Sequence, residues 1–287
     1  FALARSFRGH REMREALGRG EVWGALVIPR GYGKELWERR ARIQLLVDGV
    51  DANTARLILN YARLLVRMTG KGLSIQGRVF YNETRESRLA IVPGVIALVM
   101  AVIGALMTSL TIAREMELGN LVMLRTTPLT RKEFLLGKLL PYALLGMVDL
   151  ALATAAAVWA FDVPLRGSLG DLVIASAVFL LVVMLQGALI SMLAGNQLLA
   201  SQVAMVQTFL PAFLLSGFIF AIENMPRVLQ YITYAVPARY FVALSKAIFL
   251  KGLSLTLLWG VMGALVVMLL ILAAVTLAKS RRLGLLP

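Results

Sequence analysis

The sequence predicts an α-helical polytopic membrane protein with a small α/β domain ahead of its spans. Three observations lead there. The 287 residues are 59% hydrophobic, with a mean hydropathy of +0.77, beyond the usual range of soluble domains. Charge is unevenly placed: residues 1–88 hold 17 of the 30 Lys and Arg and 9 of the 16 acids. After residue 88 the apolar runs reach about 20 residues, enough for a helix rising 1.5 Å per residue to cross a core of roughly 30 Å.

Residues 1–88 contain no run long enough to span, and alternate between helix and strand patterns. An opening helix is followed by VWGALVI (22–28), a buried strand. GYGKELWERR (31–40) is a short helix after Pro29, and RIQLLVD (42–48) a second strand. Asp51 or Asn53 can cap the next helix, since their side-chain oxygens accept its free N–H groups. Its apolar face is expected to be Leu57, Ile58, Tyr61, Leu64, Leu65 and Met68, with Arg56, Asn60, Arg63 and Arg67 opposite. LSIQGRVFY (73–81) alternates as a third strand. The order helix, strand, helix, strand, helix, strand predicts an α/β domain. The chain begins at Phe1 without Met or a signal pattern, so an N-terminal piece is expected to precede it.

Residues 89–287 carry five expected spans, at about 89–112, 138–161, 172–195, 201–221 and 254–278. Five spans put residues 1–88 and the C-terminus on opposite sides. The link 113–137 and the tail with Lys279, Arg281 and Arg282 then share a side. Arg114, Arg125, Arg131 and Lys132 make that side cytoplasmic by the positive-inside rule, and residues 1–88 extracytoplasmic. The bases Arg227, Arg239, Lys246 and Lys251 of the link 222–253 pull the other way.

The link AREMELGNLVMLRTTPLTRKEFLLGKLLPY (113–142) interrupts the apolar runs. Arg114 to Leu124 is expected to continue the first span as a helix, with Leu118, Leu121, Val122 and Arg125 on one stripe. Glu115 and Glu117 are expected in the first turn of that helix, where carboxylates suit its dipole. Thr126-Thr127-Pro128 should end it, because the residue before Pro avoids the α region. Thr130 followed by Glu133 has the spacing of a capping box for the next helix. Pattern alone allows a charged loop that holds topology, or a docking helix for a cytoplasmic partner.

Several chemistries are excluded or disfavoured. Cys is absent and His10 is the sole His, so neither a cysteine site nor a His-based metal site is expected, and no metal ligands are assigned. Walker A needs G-x-x-x-x-G-K-[ST]. Gly72 follows Gly70-Lys71 and Leu139 follows Gly137-Lys138, so neither pair fits. No catalytic motif appears, no catalytic residue is assigned, and any ATP would be hydrolysed elsewhere. The formal charge of +14 suits topology and anionic lipid rather than nucleic acid in so apolar a chain. Asp149 is the acid well inside a span, a functional candidate by its cost there; Gln186, Gln202 and Gln207 are possible partners. Gln202, Gln207 and Phe209, ahead of a kink at Pro211, are further candidates for a substrate path. Gly104, Gly146, Gly187 and Ala188 are expected to allow close helix contact.

The 113–142 segment resembles the hallmark stretch of ABC-2 type permeases, the membrane subunits of a class of ATP-driven exporters. Arg114, Glu115, Glu117, Gly119, Pro128, Leu129, Gly137, Lys138, Pro141 and Tyr142 match as they stand, while Asn120 replaces the usual Thr. IPRGYGKEL (28–36), LVDGVDANTA (46–55), YNETRESRLAIVPG (81–94), LSGFIFAIENMP (215–226) and VPARYF (236–241) resemble the drug-exporter branch. The resemblance implies a bacterial inner-membrane subunit of six spans, the first lying in the missing N-terminus. It implies a dimer with a second copy or paralogue, and ABC ATPase subunits that hold ATP and Mg; this chain would bind no cofactor. Coupling would run through the helix at about 113–125, on Arg114, Glu115, Glu117, Gly119, Leu121, Arg125 and Pro128. Residues 222–253 would form an outer hairpin, and a periplasmic adaptor remains open. The cargo would be drug-like or amphiphilic. An ion-coupled secondary transporter using Asp149, and a membrane receptor or anchor protein, are the other readings.

Overall fold

The computed structural model describes residues 5–282, apart from 8, 39, 51, 70–73, 82–86, 121–122 and 124–129. The chain separates into two units, Phe1–Ala90 and Ile91–Pro287.

The first unit alternates as the sequence predicts: α1 (His10–Arg19), β1 (Gly24–Val27), α2 (Tyr32–Trp37), β2 (Arg42–Asp48), α3 (Ala52–Thr69) and β3 (Ser74–Phe80). The sheet order is β1-β2-β3. β1 runs antiparallel to β2, with Ala25 opposite Leu46, and β3 runs parallel to β2, with Leu45 opposite Gly77. Side chains alternate across a strand, so central β2 serves two cores. Leu46 packs with Met13, Ala16 and Leu17 of α1. Leu45 and Val47 pack with Ala55, Leu59 and Ala62 of α3.

That second core corrects the expected face of α3 except at Ile58, which packs against it. Leu57, Tyr61, Leu64, Leu65 and Met68 are all at least half exposed. The helix is apolar on two sides, and the smaller set at 55, 59 and 62 faces the sheet. Bare Gly77 explains the choice: a Cβ there would collide with the Leu59 side chain. Asn53 lies inside α3 rather than capping it, and Asp51 is outside the described residues.

Among the described residues, the second unit has five helices long and apolar enough to cross a membrane. They are α4 (Ser87–Glu117), α5 (Arg131–Trp159), α6 (Leu169–Ala194), α7 (Gln197–Leu214) and α10 (Trp259–Arg282). Between the last two lie the short helices α8 (Arg227–Thr233) and α9 (Pro237–Lys246), the latter running into a π-helical turn at Ala247–Lys251. α7 ends at Leu214, seven residues before the expected boundary. Beyond it the Ser216 hydroxyl donates to the Ala212 carbonyl, and Gly217 takes a left-handed conformation at φ 79°. The chain there is apolar without being helical, which hydropathy does not distinguish. The last span starts five residues later than expected, after turns at 255–258.

α6 is the hub, packing against α5, α7, α9 and α10. Its contacts with α4 and α5 rest on glycines. A Cβ on Gly187 would strike the Ala105 carbonyl and the Thr108 side chain, and one on Gly146 would strike Leu180. Helices in lipid gain little from hydrophobic exclusion, so this close backbone approach is a main source of association.

Candidate functional site

The C-terminal end of α4 meets the N-terminal ends of α5 and α7 at Glu115 and Glu117. The expected helix from Arg114 to Leu124 does not run unbroken. α4 continues from the span to Glu117, then turns at Leu118 and Gly119, and helical backbone resumes at Asn120 and Met123. Gly119 has φ +72°, a conformation costly for residues with a Cβ. Leu121, Arg125 and Pro128 lie outside the described residues, as does the Thr126-Thr127-Pro128 stop.

Glu115 and Glu117 therefore sit in the last turn of α4, not the first turn of a new helix. Carboxylates at a helix C-terminus oppose its dipole, so each needs an outside partner, and each has one. Lys138 Nζ of α5 donates to Glu115 Oε1 at 2.5 Å. The Asn120 amide donates to Glu115 Oε2 at 3.0 Å from just beyond the break. The Glu115 side chain is 17% exposed, so this pair is shielded from solvent more than a typical surface pair. Glu117 Oε2 accepts from the Gln197 backbone N–H at 3.1 Å and from its side-chain amide at 3.0 Å. Gln197 is the first residue of α7, where free N–H groups attract an anion.

Further bonds hold this corner. The Ala113 N–H donates to the Ser191 hydroxyl at 2.7 Å, joining α4 to the last turn of α6. Thr130 and Glu133 form the expected capping box at the start of α5. An open cleft of about 510 Å³ lies between the break and α5, lined by Asn120, Met123, Phe134 and Lys138 among others. Arg114 is exposed.

The sequence pointed to Glu115 and Glu117 without their partners. Lys138 and Gln197 are the residues it missed. Lys138 was within the hallmark pattern, and a lone base at the mouth of an apolar run was the available signal. Nothing local marks Gln197, which is 80 residues from Glu117.

Of the four substrate-path candidates, Asp149 lies on α5 and the other three on α7. Gln202 and Gln207 are on the exposed side of α7. Phe209 stacks on Phe213 at 5.4 Å, and Phe213 meets Phe218 edge-on at 5.9 Å. Asp149 lies on α5, half-buried, and its Oδ2 is buried without a hydrogen-bond partner among the described residues. None of the three glutamines satisfies that oxygen.

Two bases of the link 222–253 have backbone acceptors. Arg239 donates to the Gln230 carbonyl at 3.2 Å and lies over the Tyr234 ring at 3.8 Å. Lys246 donates to the Gly217 carbonyl at 2.9 Å.

Comparison with known proteins places these features in context. The family described as "ABC-2 family transporter protein" matches residues 5–278. The chain is 39% identical over 247 residues to Escherichia coli (strain K12) YbhS, named "Probable multidrug ABC transporter permease". That match covers 81% of this chain and 66% of YbhS. YbhR of the same strain, named likewise, is 31% identical over 98% of this chain and 81% of its own length. YhhJ, an "Inner membrane transport permease" of that strain, is 25% identical over 86% of this chain and 70% of its own. No solved structure matches. The chain spans about two thirds of the length of YbhS.

Proposed function

We propose a function on one premise: the chain belongs to the ABC-2 family of transporter proteins. It acts as a permease subunit of an ATP-driven exporter in a bacterial inner membrane. The names of its relatives support that reading, as does the run of five long apolar helices. ATP and Mg are held by a separate ABC ATPase, and two permease copies or paralogues pair to enclose the path. The cargo is a drug-like or amphiphilic molecule.

The observation that carries the coupling mechanism is the bracket of two acids at the break after Glu117. The segment beyond Gly119 is the part that meets the ATPase. Both oxygens of Glu115 are engaged, by Lys138 and Asn120, and Glu117 Oε2 accepts twice from Gln197. The two acids tie the docking segment to the ends of α5 and α7. When the ATPase dimer closes on ATP, a push on that segment reaches three spans at once through these bonds. Coupling needs a rigid element with two arrangements between its two sites, and a partnered charge bracket at a hinge supplies one.

The inward placement of this corner is supported by Arg114, Lys132 and the basic tail. Two of the four bases of the 222–253 link, Arg239 and Lys246, donate to backbone carbonyls, which weakens the charge argument against it. An outer adaptor would meet the first unit.

The test is partner dependence. The full-length subunit, expressed with the ATPase encoded beside it, should copurify with that ATPase and stimulate its hydrolysis of ATP in lipid. Transport of the same cargo driven by a proton gradient without ATP would refute the reading.

A further inference from the structure

Asp149 and Ser176 make a polar locus within the membrane unit. Buried polar groups without partners are few in folded proteins, and each calls for an explanation. Three such atoms are Asp149 Oδ2, Thr154 Oγ1 and Ser176 Oγ. Ser176 is 0% exposed, so no solvent satisfies its hydroxyl. Asp149 is ten residues from the α5 end at Trp159, about 15 Å along the helix axis. That depth puts it well inside the apolar layer.

Helix register brings two of the three together. Gly146 of α5 faces Leu180 of α6. The helices are consecutive spans joined by a short link, so they run antiparallel. Asp149 lies three residues beyond Gly146, and Ser176 four residues before Leu180. At 1.5 Å per residue their levels differ by only about 1.5 Å. At 100° per residue both turn toward the same flank of the seam, by about 60° and 40°. Thr154 falls about 140° around α5 from Asp149 and belongs to another flank.

Among the described residues, no base bonds the buried oxygen of this carboxylate. Lys138, on the same helix, is about 16 Å away along the axis and is paired with Glu115. A carboxylate in lipid that lacks a counter-charge is costly, and such residues mark ligand or ion paths. What the pair lacks is a positive charge beside apolar surface. Leu145, Val148 and Leu152 provide that surface around Asp149, each more than half exposed on α5.

Resting on the permease reading above, we propose that Asp149 and Ser176 form a recognition site for the charged head of a lipophilic cation. The apolar body of that substrate would lie along α5. The site thus favours cationic over neutral amphiphiles among the cargoes.

The test is equilibrium binding to the purified, full-length permease in detergent. Ethidium serves as a permanent lipophilic cation, and Nile red as a neutral probe of similar bulk. The wild type should bind both saturably. Asp149→Asn should weaken ethidium at least tenfold and leave Nile red within twofold; Asp149→Glu should restore most ethidium binding. Ser176→Ala should weaken ethidium several-fold. Unchanged ethidium binding in Asp149→Asn, or equal loss of both probes, would overturn the proposal. So would absence of saturable ethidium binding to the wild type. A proton-carrier role would appear as intact ethidium binding with transport lost, and also overturns it. None of these outcomes bears on ATPase copurification, so failure here and failure of the permease reading are told apart.

Discussion

Acids at the end of α4 and the acid in the middle of α5 are treated in opposite ways. Glu115 and Glu117 are held by Lys138, Asn120 and Gln197, groups from three parts of the chain. Asp149 Oδ2 is buried and has no hydrogen-bond partner among the described residues. A shielded charge is tolerable when paired and expensive when not. The first set therefore reads as construction and the second as a vacancy for function. Burial alone would not separate them, since Glu115 and Asp149 are both half-buried; the partners do.

Substitutions should break this contrast in order of size. Lys138→Met leaves Glu115 shielded and unpaired, and should cost roughly 1–2 kcal/mol of stability. Combining it with Glu115→Gln should recover at least half of that loss, a coupling measured by a double-mutant cycle of unfolding in detergent. Additive losses would mean the pair is decorative. Gly119→Ala forces a Cβ into the left-handed region and should cost about 1 kcal/mol. On the coupling proposed above, its larger effect should be on ATPase stimulation. Asp149→Asn should be the mildest: unfolding resistance unchanged or slightly higher, because an unmatched charge is removed. A clear loss of stability there would give Asp149 a structural role and erase the contrast.

Much of the fold was legible because its signals are local. Apolar runs marked all five spans, and strand alternation gave the α/β order of the first unit. Thr130 and Glu133 announced their capping box by spacing alone. Where several solutions satisfied the same local pattern, reading failed. α3 has apolar residues on two sides, and only the sheet, with Gly77 open to Leu59, selects the side of Ala55 and Ala62. α7 stops at Leu214 although LSGFIFA is as apolar as a span, because Ser216 and Gly217 turn the chain. At the hallmark segment the two acids were readable as important but not as partnered. Lys138 and Gln197 reach them across 23 and 80 residues, and such pairings exist only once helices have packed. The helix break was hidden as well: Gly119 lies in a pattern that still scores as helix on its neighbours.

The bracket's role in coupling is tested most directly by substrate-stimulated ATPase activity of the assembled transporter in lipid. The measurement compares wild type with the Glu115→Ala, Glu117→Ala double variant. The account predicts that the variant still copurifies with the ATPase and keeps its basal hydrolysis, while stimulation falls at least tenfold. Full stimulation in an intact complex would contradict it.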